Sequence, residues 1–206
     1  MNTLRKHLRK LNEIRQTTLF PPEKITVIIL LRATKHGLNY IAGLDRNLIW
    51  RFLYPLNARI DNDLRKWDVI EAEVMYPSTE PDRPEYVKIW KDTVKRIGRV
   101  DSLSERKNII TKVVEGGEFL HRKPCRKTLG LIRPIRPRFY LDKFGKIKCH
   151  FYCNHKGCKG HRMIVKDPEV TKENYQLIEE PYFLLAFKIH PSRWLLVSVI
   201  ELTEQK

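Results

Sequence analysis

Three cysteines and a histidine lie within the thirteen-residue segment CHFYCNHKGCKGH, at spacings that suit a metal site. The pattern C-x3-C-x4-C-x2-H joins Cys149, Cys153, Cys158 and His161. Zinc favours thiolate and imidazole ligands in tetrahedral sites, and Gly157 gives the backbone between them the freedom to turn. We therefore predict a structural zinc ion that clamps a loop with little apolar core of its own.

The position of Cys149 leaves the identity of the fourth ligand open. If the chain from Cys149 to Cys153 were extended, four steps would separate the two α-carbons by roughly 13 Å, which is too far for one metal. Either the strand bends there, or Cys149 belongs to the core and His150, His155 or Cys125 replaces it. Reduced thiols with a hydrogen-bonded histidine and no metal are the alternative interpretation.

The same part of the chain carries most of the positive charge. Residues 121–166 contain fourteen Lys and Arg and one acid, Asp142, so this stretch holds a net +13 of the chain's +16. Lys and Arg neutralise phosphates and release counterions, and interleaved aromatic side chains stack on unpaired bases. We predict a nucleic-acid interface, for DNA or RNA, at Arg122, Lys123, Arg126, Lys127, Arg133, Arg136, Arg138, Lys146, Lys148, Lys156, Lys159 and Arg162.

The sequence lacks several common catalytic motifs. It has no HExxH, no P-loop and no nucleophile elbow. A zinc-dependent nuclease or hydrolase built on His150, His155 and His161 with Asp167 or Glu169 is the alternative to a binding protein. We predict no catalytic residues and a non-enzymatic role.

Apolar runs and cysteine usage indicate the compartment. The longest apolar run, residues 25–31, is too short to span a bilayer, and the basic N-terminus lacks the apolar core of a signal peptide. Three clustered cysteines indicate a metal or reduced thiols rather than a disulfide framework. We therefore expect a cytoplasmic protein without a transmembrane segment.

The elements that must position these residues are mainly β strands (an α+β chain). Residues 1–20 are predicted to form a basic amphipathic helix that ends at two prolines. Short apolar segments with close turns over residues 21–100 predict a first OB-like barrel. Ser102 and Glu105 fit a capping box, which opens a helical connector over residues 101–120.

The second half of the chain is predicted to form a second OB-like barrel. It occupies residues 121–206, with the Cys/His-rich insertion at residues 149–161. Alternating and β-branched segments predict its strands at residues 128–132, 146–152, 161–166, 182–189 and 194–202. The predicted zinc site and most of the predicted cationic surface therefore share one module.

Two stretches of the sequence resemble dual OB-domain proteins. In VIILLRATKHGLNYIAGLDRNLIWRFLYPL (residues 27–56), the Ile-Ala-Gly of residues 41–43 and the Trp-Arg of residues 50–51 match that family, with Phe52 in place of its usual proline. KTLGLIRP (residues 127–134) resembles the opening strand of its second barrel. The Cys/His-rich insertion lies outside the family's general pattern.

This resemblance implies two OB-like barrels and nucleic-acid binding. By association, it suggests an accessory subunit of a prokaryotic defence or nucleic-acid-guided complex, for example beside a short Argonaute or a nuclease. A protein-interaction adaptor is a third interpretation, because the helices predicted over residues 1–20 and 101–120 are suited to docking. We therefore expect a larger protein partner in addition to nucleic acid.

Overall fold

A computed structural model describes residues 23–35, 38–56, 63–77, 85–122, 125, 127–178, 182–190 and 193–202. Within these residues the chain is mainly β, as predicted. The strands are β1 Lys24–Lys35, β2 Leu38–Asp45, β3 Trp50–Leu56, β4 Asp68–Pro77, β5 Tyr86–Ile89, β6 Lys95–Arg99, β7 Val114–Glu115, β8 Leu129–Ile132, β9 Ile135–Leu141, β10 Ile147–Tyr152, β11 His161–Ile164, β12 Tyr182–His190 and β13 Arg193–Glu201.

One α-helix, α1 Leu103–Val113, and two single-turn 3-10 helices, Lys91–Thr93 and Glu118–Leu120, complete the described elements. The Ser102 hydroxyl accepts a hydrogen bond from the Glu105 amide at 3.4 Å, which caps the start of α1. No helix in this part of the chain is long and apolar enough to cross a membrane. The helix predicted over residues 1–20 lies outside the described residues.

Strands β1 to β5 close into a five-stranded barrel, which confirms the barrel expected of the first half. Its order is β1-β2-β3-β5-β4, and β4 pairs again with β1. The β3–β5 pair is parallel, and the other pairs are antiparallel. A bulge between Ile29 and Leu31 allows β1 to turn from β4 to β2. This Greek-key ring is the architecture of an OB-like barrel.

Strands β8 to β13 follow the same circuit, except that the first strand is broken into two. β9 pairs with β10 and β10 with β11, and a single parallel bridge from Val165 to Leu196 links this sheet to β13. β13 pairs with β12, and β12 returns to β8. The break between β8 and β9 falls at Arg133 and Pro134.

Strand β9 is absent from the strands predicted by sequence. Pro134 precedes it and Pro137 lies inside it, and proline normally argues against a strand because it donates no hydrogen bond. The structure tolerates Pro137 because β9 is the edge of its three-stranded sheet, β11-β10-β9.

Each strand circuit encloses its own apolar core. The first contains Ile41, Leu53 and Ile70, all fully buried. The second contains Phe151 and Leu184, also fully buried. Both circuits therefore have an interior of the kind that stabilises a small domain.

A third and larger cluster joins the two circuits. The side chain of Phe52, on the outer side of β3, stacks on Phe187 of β12 with ring centroids 5.6 Å apart. Leu131 of β8, Leu185 of β12 and Ile110 of α1 belong to the same buried cluster. The two circuits thus share one continuous apolar interface, to which α1 also contributes.

A buried ion pair crosses from the first circuit to the second. Lys66 Nζ lies 2.7 Å from Asp167 Oδ2 and donates to the Val199 carbonyl at 2.9 Å. The Val199 amide donates to Asp167 Oδ2 at 2.6 Å, and the Asp167 side chain is fully buried. Because these hydrogen bonds satisfy both charges, the pair fixes one circuit against the other.

Candidate metal centre and cationic face

Two cysteines and two histidines converge beside the second circuit. The ligand atoms of His121, Cys153, Cys158 and His161 all lie within 4.8 Å of one another. His121 Nε2 is 3.2 Å from Cys153 Sγ, and His161 Nε2 is 3.4 Å from both Cys153 Sγ and Cys158 Sγ. Below, these four residues are called the metal group.

The metal group is close in size to a tetrahedral metal site. With Zn–S bonds of about 2.3 Å and Zn–N bonds of about 2.0–2.1 Å, ligand atoms in a tetrahedron lie about 3.3–3.8 Å apart. The three nitrogen–sulfur distances, 3.2–3.4 Å, extend from just below that range to its lower part, and all ligand atoms lie within 4.8 Å of one another, so the group is compact enough to surround one ion. Two thiols and two imidazoles are also a ligand set typical of structural zinc, in which the protein fills all four positions.

His121 reaches the group from the segment that precedes the second circuit, residues 116–122, here called the linker. A 3-10 turn, Glu118–Leu120, ends at His121. Gly117 has φ +79°, and a β-carbon there would lie 2.6 Å from that of Cys153. The Asn154 amide donates to the Gly116 carbonyl at 3.2 Å. The linker therefore packs directly on residues 153–160, here called the Cys loop.

Both histidines of the metal group are held in the neutral form that binds metals. Burial, followed by the neighbouring His121, lowers the pKa of His161 to about 4. Burial, followed by His155, lowers the pKa of His121 below its usual value. Since a metal ligand must present an unprotonated nitrogen, both imidazoles are available at neutral pH.

The two thiols of the group differ from each other. Burial raises the pKa of Cys153. Burial acts in the same direction on Cys158, but hydrogen bonds from the backbone amides of Cys153 and Gly160 outweigh it, so the pKa of Cys158 lies below its usual value. The Gly160 amide approaches Cys158 Sγ at 3.4 Å. Cys158 is therefore the thiol that ionises more readily.

Cys149, a ligand in the sequence prediction, lies outside the metal group. It is fully buried among apolar side chains of the second core, and burial raises the pKa of its thiol to about 12. It shares the core side of β10 with Phe151 because residues two apart in a strand point the same way. In its place the structure brings His121, which the sequence analysis did not consider.

The three substitutes considered for Cys149 also lie outside the metal group. His155 stacks on the His121 ring, with centroids 4.2 Å apart. The ring of His150 packs edge-on against Tyr152 instead. The thiol of Cys125 points toward the Lys127 carbonyl at 3.8 Å.

The carboxylates of the nuclease alternative are engaged elsewhere. Asp167 forms a buried ion pair with Lys66 and accepts hydrogen bonds from the amides of Val199 and Glu169. Glu169 Oε2 lies 2.9 Å from the same Lys66. Within the described residues, no carboxylate joins the metal group. Its composition is therefore that of a structural site rather than a hydrolytic one.

The three-stranded sheet β9-β10-β11 presents a cationic row on its solvent side. Arg138 of β9 and Arg162 of β11 are both directly opposite His150 of the central strand. Both arginines are exposed, whereas Cys149 and Phe151, which flank His150 in β10, point into the core. Among the described residues, no acidic side chain pairs with either arginine. These three residues are called the outer row.

Aromatic side chains border the outer row on both sides. Tyr140 and Lys148 are opposite each other in the next row of the sheet. Tyr152 lies on the other side, its ring centroid 5.3 Å from that of His150. Both tyrosines are half-buried. Lys148 is neutralised in part by Asp142 at 2.9 Å.

Two predicted interface residues have acidic partners on a different part of the molecule. Arg122 pairs with Glu118 at 3.2 Å, and Lys127 pairs with Glu115 at 2.5 Å. Both cations line a cleft of about 1110 Å³ between the two circuits, together with Trp50. Unlike Arg138 and Arg162, both cations are therefore already paired with a carboxylate.

The remaining predicted residues are exposed or undescribed. Arg136 adopts a left-handed φ of +48° where β9 bulges against β10, a conformation that is uncommon for a residue other than glycine. Lys123 and Arg126 lie outside the described residues. Among these remaining predicted residues, Arg133, Arg136, Lys146, Lys156 and Lys159 are exposed and have no acidic partner in the described part of the chain.

The molecule is thus a β protein of two linked five-strand circuits, with a two-cysteine, two-histidine group and a cationic outer row on the second. Residues 30–112, less than half of the chain, match a family model described as Domain of unknown function (DUF8758). No curated protein matches the chain significantly. The resemblance to dual OB-domain proteins and the prokaryotic origin stay predictions.

Among solved structures, the chain is similar to the "Ifi202 HINa domain in complex with 20bp dsDNA". The sequence identity is 10%, the TM-score is 0.41, and the match covers 87% of this chain and 97% of that chain. It is also similar to "the tetrameric p202 HIN2", with 6% identity, a TM-score of 0.36 and coverage of 86% and 90%. Both likenesses are distant and assign no function to this chain.

Proposed function

We propose that this protein is a non-catalytic nucleic-acid-binding subunit, and that its binding surface is the outer row with its flanking tyrosines. The observation that carries the proposal is the alignment of Arg138 and Arg162 across one sheet, on either side of His150, without acidic partners in the described residues. Strands 2 and 3 of an OB-like circuit, here β10 and β11, commonly form its oligonucleotide-binding face.

The chemistry of this face favours a single strand. Arginines attract the phosphate backbone, and the half-buried Tyr140 and Tyr152 beside them carry rings on which bases could stack. Bases in a duplex are already stacked on each other and leave no ring face free. The sheet itself is rigid, because the core side chains Cys149 and Phe151 hold β10 in place from behind.

A structural zinc ion at the metal group is part of the proposal. His121, Cys153, Cys158 and His161 would hold it, as their spacing and neutral imidazoles allow. The ion would supply no reaction step. It would cross-link the linker to the Cys loop, where few apolar contacts are available.

The test is a salt titration of binding to fluorescent single-stranded and duplex oligonucleotides, followed by anisotropy. We expect log K to fall linearly with log salt, with a slope of roughly −0.7 per phosphate contact on a single strand. Arg138→Ala with Arg162→Ala removes two contacts, so its slope should be shallower by about 1.4. The two side chains are exposed, and the fold should be unchanged.

The matched control is Lys91→Ala with Lys112→Ala, which removes two exposed positive charges from other parts of the molecule. It should bind nearly as the wild type does. Equal weakening by both double variants would show that only net charge matters, and a flat salt response of the wild type would reject nucleic-acid binding.

Two further parts of the proposal have their own tests. Labelled oligonucleotide incubated with the zinc-loaded protein should remain uncut, whereas cleavage that depends on His161 would favour the nuclease alternative. A role as accessory subunit of a defence or guided complex predicts that tagged protein isolated from its native cells brings a larger protein and nucleic acid with it.

A further inference from the structure

We infer that zinc at the metal group regulates the proposed binding face, because the ion fastens the linker to the Cys loop that precedes β11. This inference rests on the proposed function. It adds that nucleic-acid affinity depends on the metal, and that His121, a ligand from outside the second circuit, carries the dependence.

The Cys loop has little apolar burial of its own. After Cys153, which is 4% exposed, none of residues 154–160 is buried. Its own backbone hydrogen bonds are few: the Cys158 amide donates to the His155 carbonyl at 3.0 Å, and the Asn154 amide donates to the linker. A loop with so little apolar burial gains most of its order from ligation.

The linker, by contrast, is anchored independently of the metal. Phe119 is buried against the second circuit, with its ring 5.1 Å from that of Trp194. A β-carbon at Gly130 would lie 2.3 Å from the Phe119 ring, so the two pack without space between them. His121 is thus presented from a fixed support, to which the metal attaches the more loosely held loop.

The loop and the binding face are adjacent in the chain. His161 of the metal group opens β11 and is followed at once by Arg162 of the outer row. Because neighbouring residues of a strand point to opposite faces, His161 holds the metal behind the sheet while Arg162 faces solvent. The loop also carries the exposed side chains of Lys156 and Lys159.

The experiment compares full-length protein as zinc-loaded, chelator-stripped and zinc-reloaded samples. We expect one zinc per chain by elemental analysis, and Co(II) should give the absorption bands of a tetrahedral site with thiolate ligands. Stripping should weaken oligonucleotide binding on the order of tenfold and make the salt slope shallower by about 1.4, the share of two phosphate contacts. Reloading with zinc should restore both values.

The decisive variant is His121→Ala, which removes only the ligand from the linker. Zinc affinity should fall by more than about 100-fold, since even outer-shell partners of a metal ligand are worth 10–100-fold. The control is His155→Ala, which removes a ring stacked on His121 but no ligand. The control should keep one zinc and bind oligonucleotide within about twofold of the wild type.

Amide hydrogen exchange of the wild-type chain keeps the test independent of any variant that fails to fold. Zinc should protect residues 153–160 strongly and should leave the core strand β12 nearly unchanged. Zinc binding with an unchanged oligonucleotide affinity would overturn the regulation while leaving the proposed function intact. Absence of stoichiometric zinc, or no loop protection, would overturn the clamp. Zinc-loaded protein that protects the loop but binds no oligonucleotide would reject the proposed function instead.

Discussion

The equivalent outer face of the two strand circuits is buried in the first circuit and exposed to solvent in the second. In the first circuit, the outer sides of β2 and β3 carry Ala42, Leu44 and Phe52, which are buried against the second circuit. In the second, the equivalent strands β10 and β11 carry His150 and Arg162 toward solvent. The same arrangement of strands therefore forms an interface between the circuits at β2 and β3 and a solvent-exposed surface at β10 and β11. The difference lies in the side chains, which are apolar in the first case and polar or charged in the second.

The two parts of the chain also differ in their balance of positive and negative charge. Residues 21–100 contain fourteen Lys and Arg against eleven Asp and Glu, whereas residues 121–166 contain fourteen against one. In the first circuit the structure pairs Arg51 with Asp45 at 2.8 Å and Arg99 with Asp68 at 3.1 Å. Arg51 and Arg99 of the first circuit thus have acidic partners, whereas Arg138 and Arg162 of the second have none among the described residues.

The largest expected effect comes from breaking the buried face. Phe52→Ala removes a ring that contacts Tyr86 at 4.7 Å and Phe187 at 5.6 Å between ring centroids. We expect a loss of about 3–5 kcal/mol in the free energy of unfolding, measured with denaturant, because the cavity between the circuits cannot collapse fully. Nucleic-acid affinity of the remaining folded protein should be unchanged.

Phe144→Ala is the counterpart on the exposed side. Phe144 is 73% exposed in the turn between β9 and β10, so its removal should change the free energy of unfolding by less than about 0.5 kcal/mol. Equal destabilisation by both variants would contradict the assignment of the β2–β3 face as an interface.

A smaller effect distinguishes the tyrosines of the two faces. Tyr152→Ala should weaken single-strand binding by about 1–3 kcal/mol if one base stacks on the ring, with a weaker effect on duplex. Tyr40→Ala is the control, since the Tyr40 ring packs on Phe52 at 5.2 Å and belongs to the interface cluster. It should lower stability without changing affinity, and the reverse pattern would exchange the roles of the two faces.

The smallest effect concerns the one acid in the cationic stretch. Hydrogen bonds from the Lys146 amide and then from the Lys148 side chain hold the pKa of Asp142 at about 2, below its ordinary value of 3.8. A lowered folded-state pKa contributes stability above the ordinary pKa that is lost as pH falls toward the folded one. The thermal stability of the wild type, followed as its unfolding temperature, should therefore fall as the pH is lowered from about 4 to about 2.

Asp142→Asn keeps the oxygen that accepts from the Phe144 and Lys146 amides but removes the charge. Its stability should vary less than that of the wild type over the same pH range. At neutral pH it should bind oligonucleotide slightly more tightly, because Lys148 is released for the polyanion. A lower affinity would mean that the turn itself, and not the charge of Asp142, matters for binding.

Much of the fold could be predicted from alternation and turn residues. Ile25 to Leu31 lie in β1 and Ile147 to Tyr152 form β10, because β-branched and aromatic residues recur in both segments. Sequence reasoning missed β9, because prolines that exclude a central strand are compatible with an edge. The ring order, with its parallel β3–β5 pair, is a long-range property that local patterns do not contain.

The metal group also depends on a long-range contact that local sequence patterns do not contain. Cys153, Cys158 and His161 form a local motif and do meet in space. His121 stands 32 residues before Cys153, outside any motif spacing, and only the packing of Gly117 on Cys153 brings it close. Residues two apart in a strand face the same side, so Cys149 points into the core together with Phe151. This alternation was the one sequence feature that argued against Cys149 as a ligand, and the sequence analysis kept a core position for Cys149 as one of two options.

The apolar interface between the two circuits affects how the second circuit would behave if it were produced without the first. A half-molecule that begins after the linker would expose Leu131 and Leu185, which the first circuit now covers. A patch of this kind promotes self-association in water. Isolating the second circuit for binding studies would therefore require polar substitutions on the face that includes Leu131 and Leu185. Any natural relative that consists of this circuit alone should already have polar residues on that face.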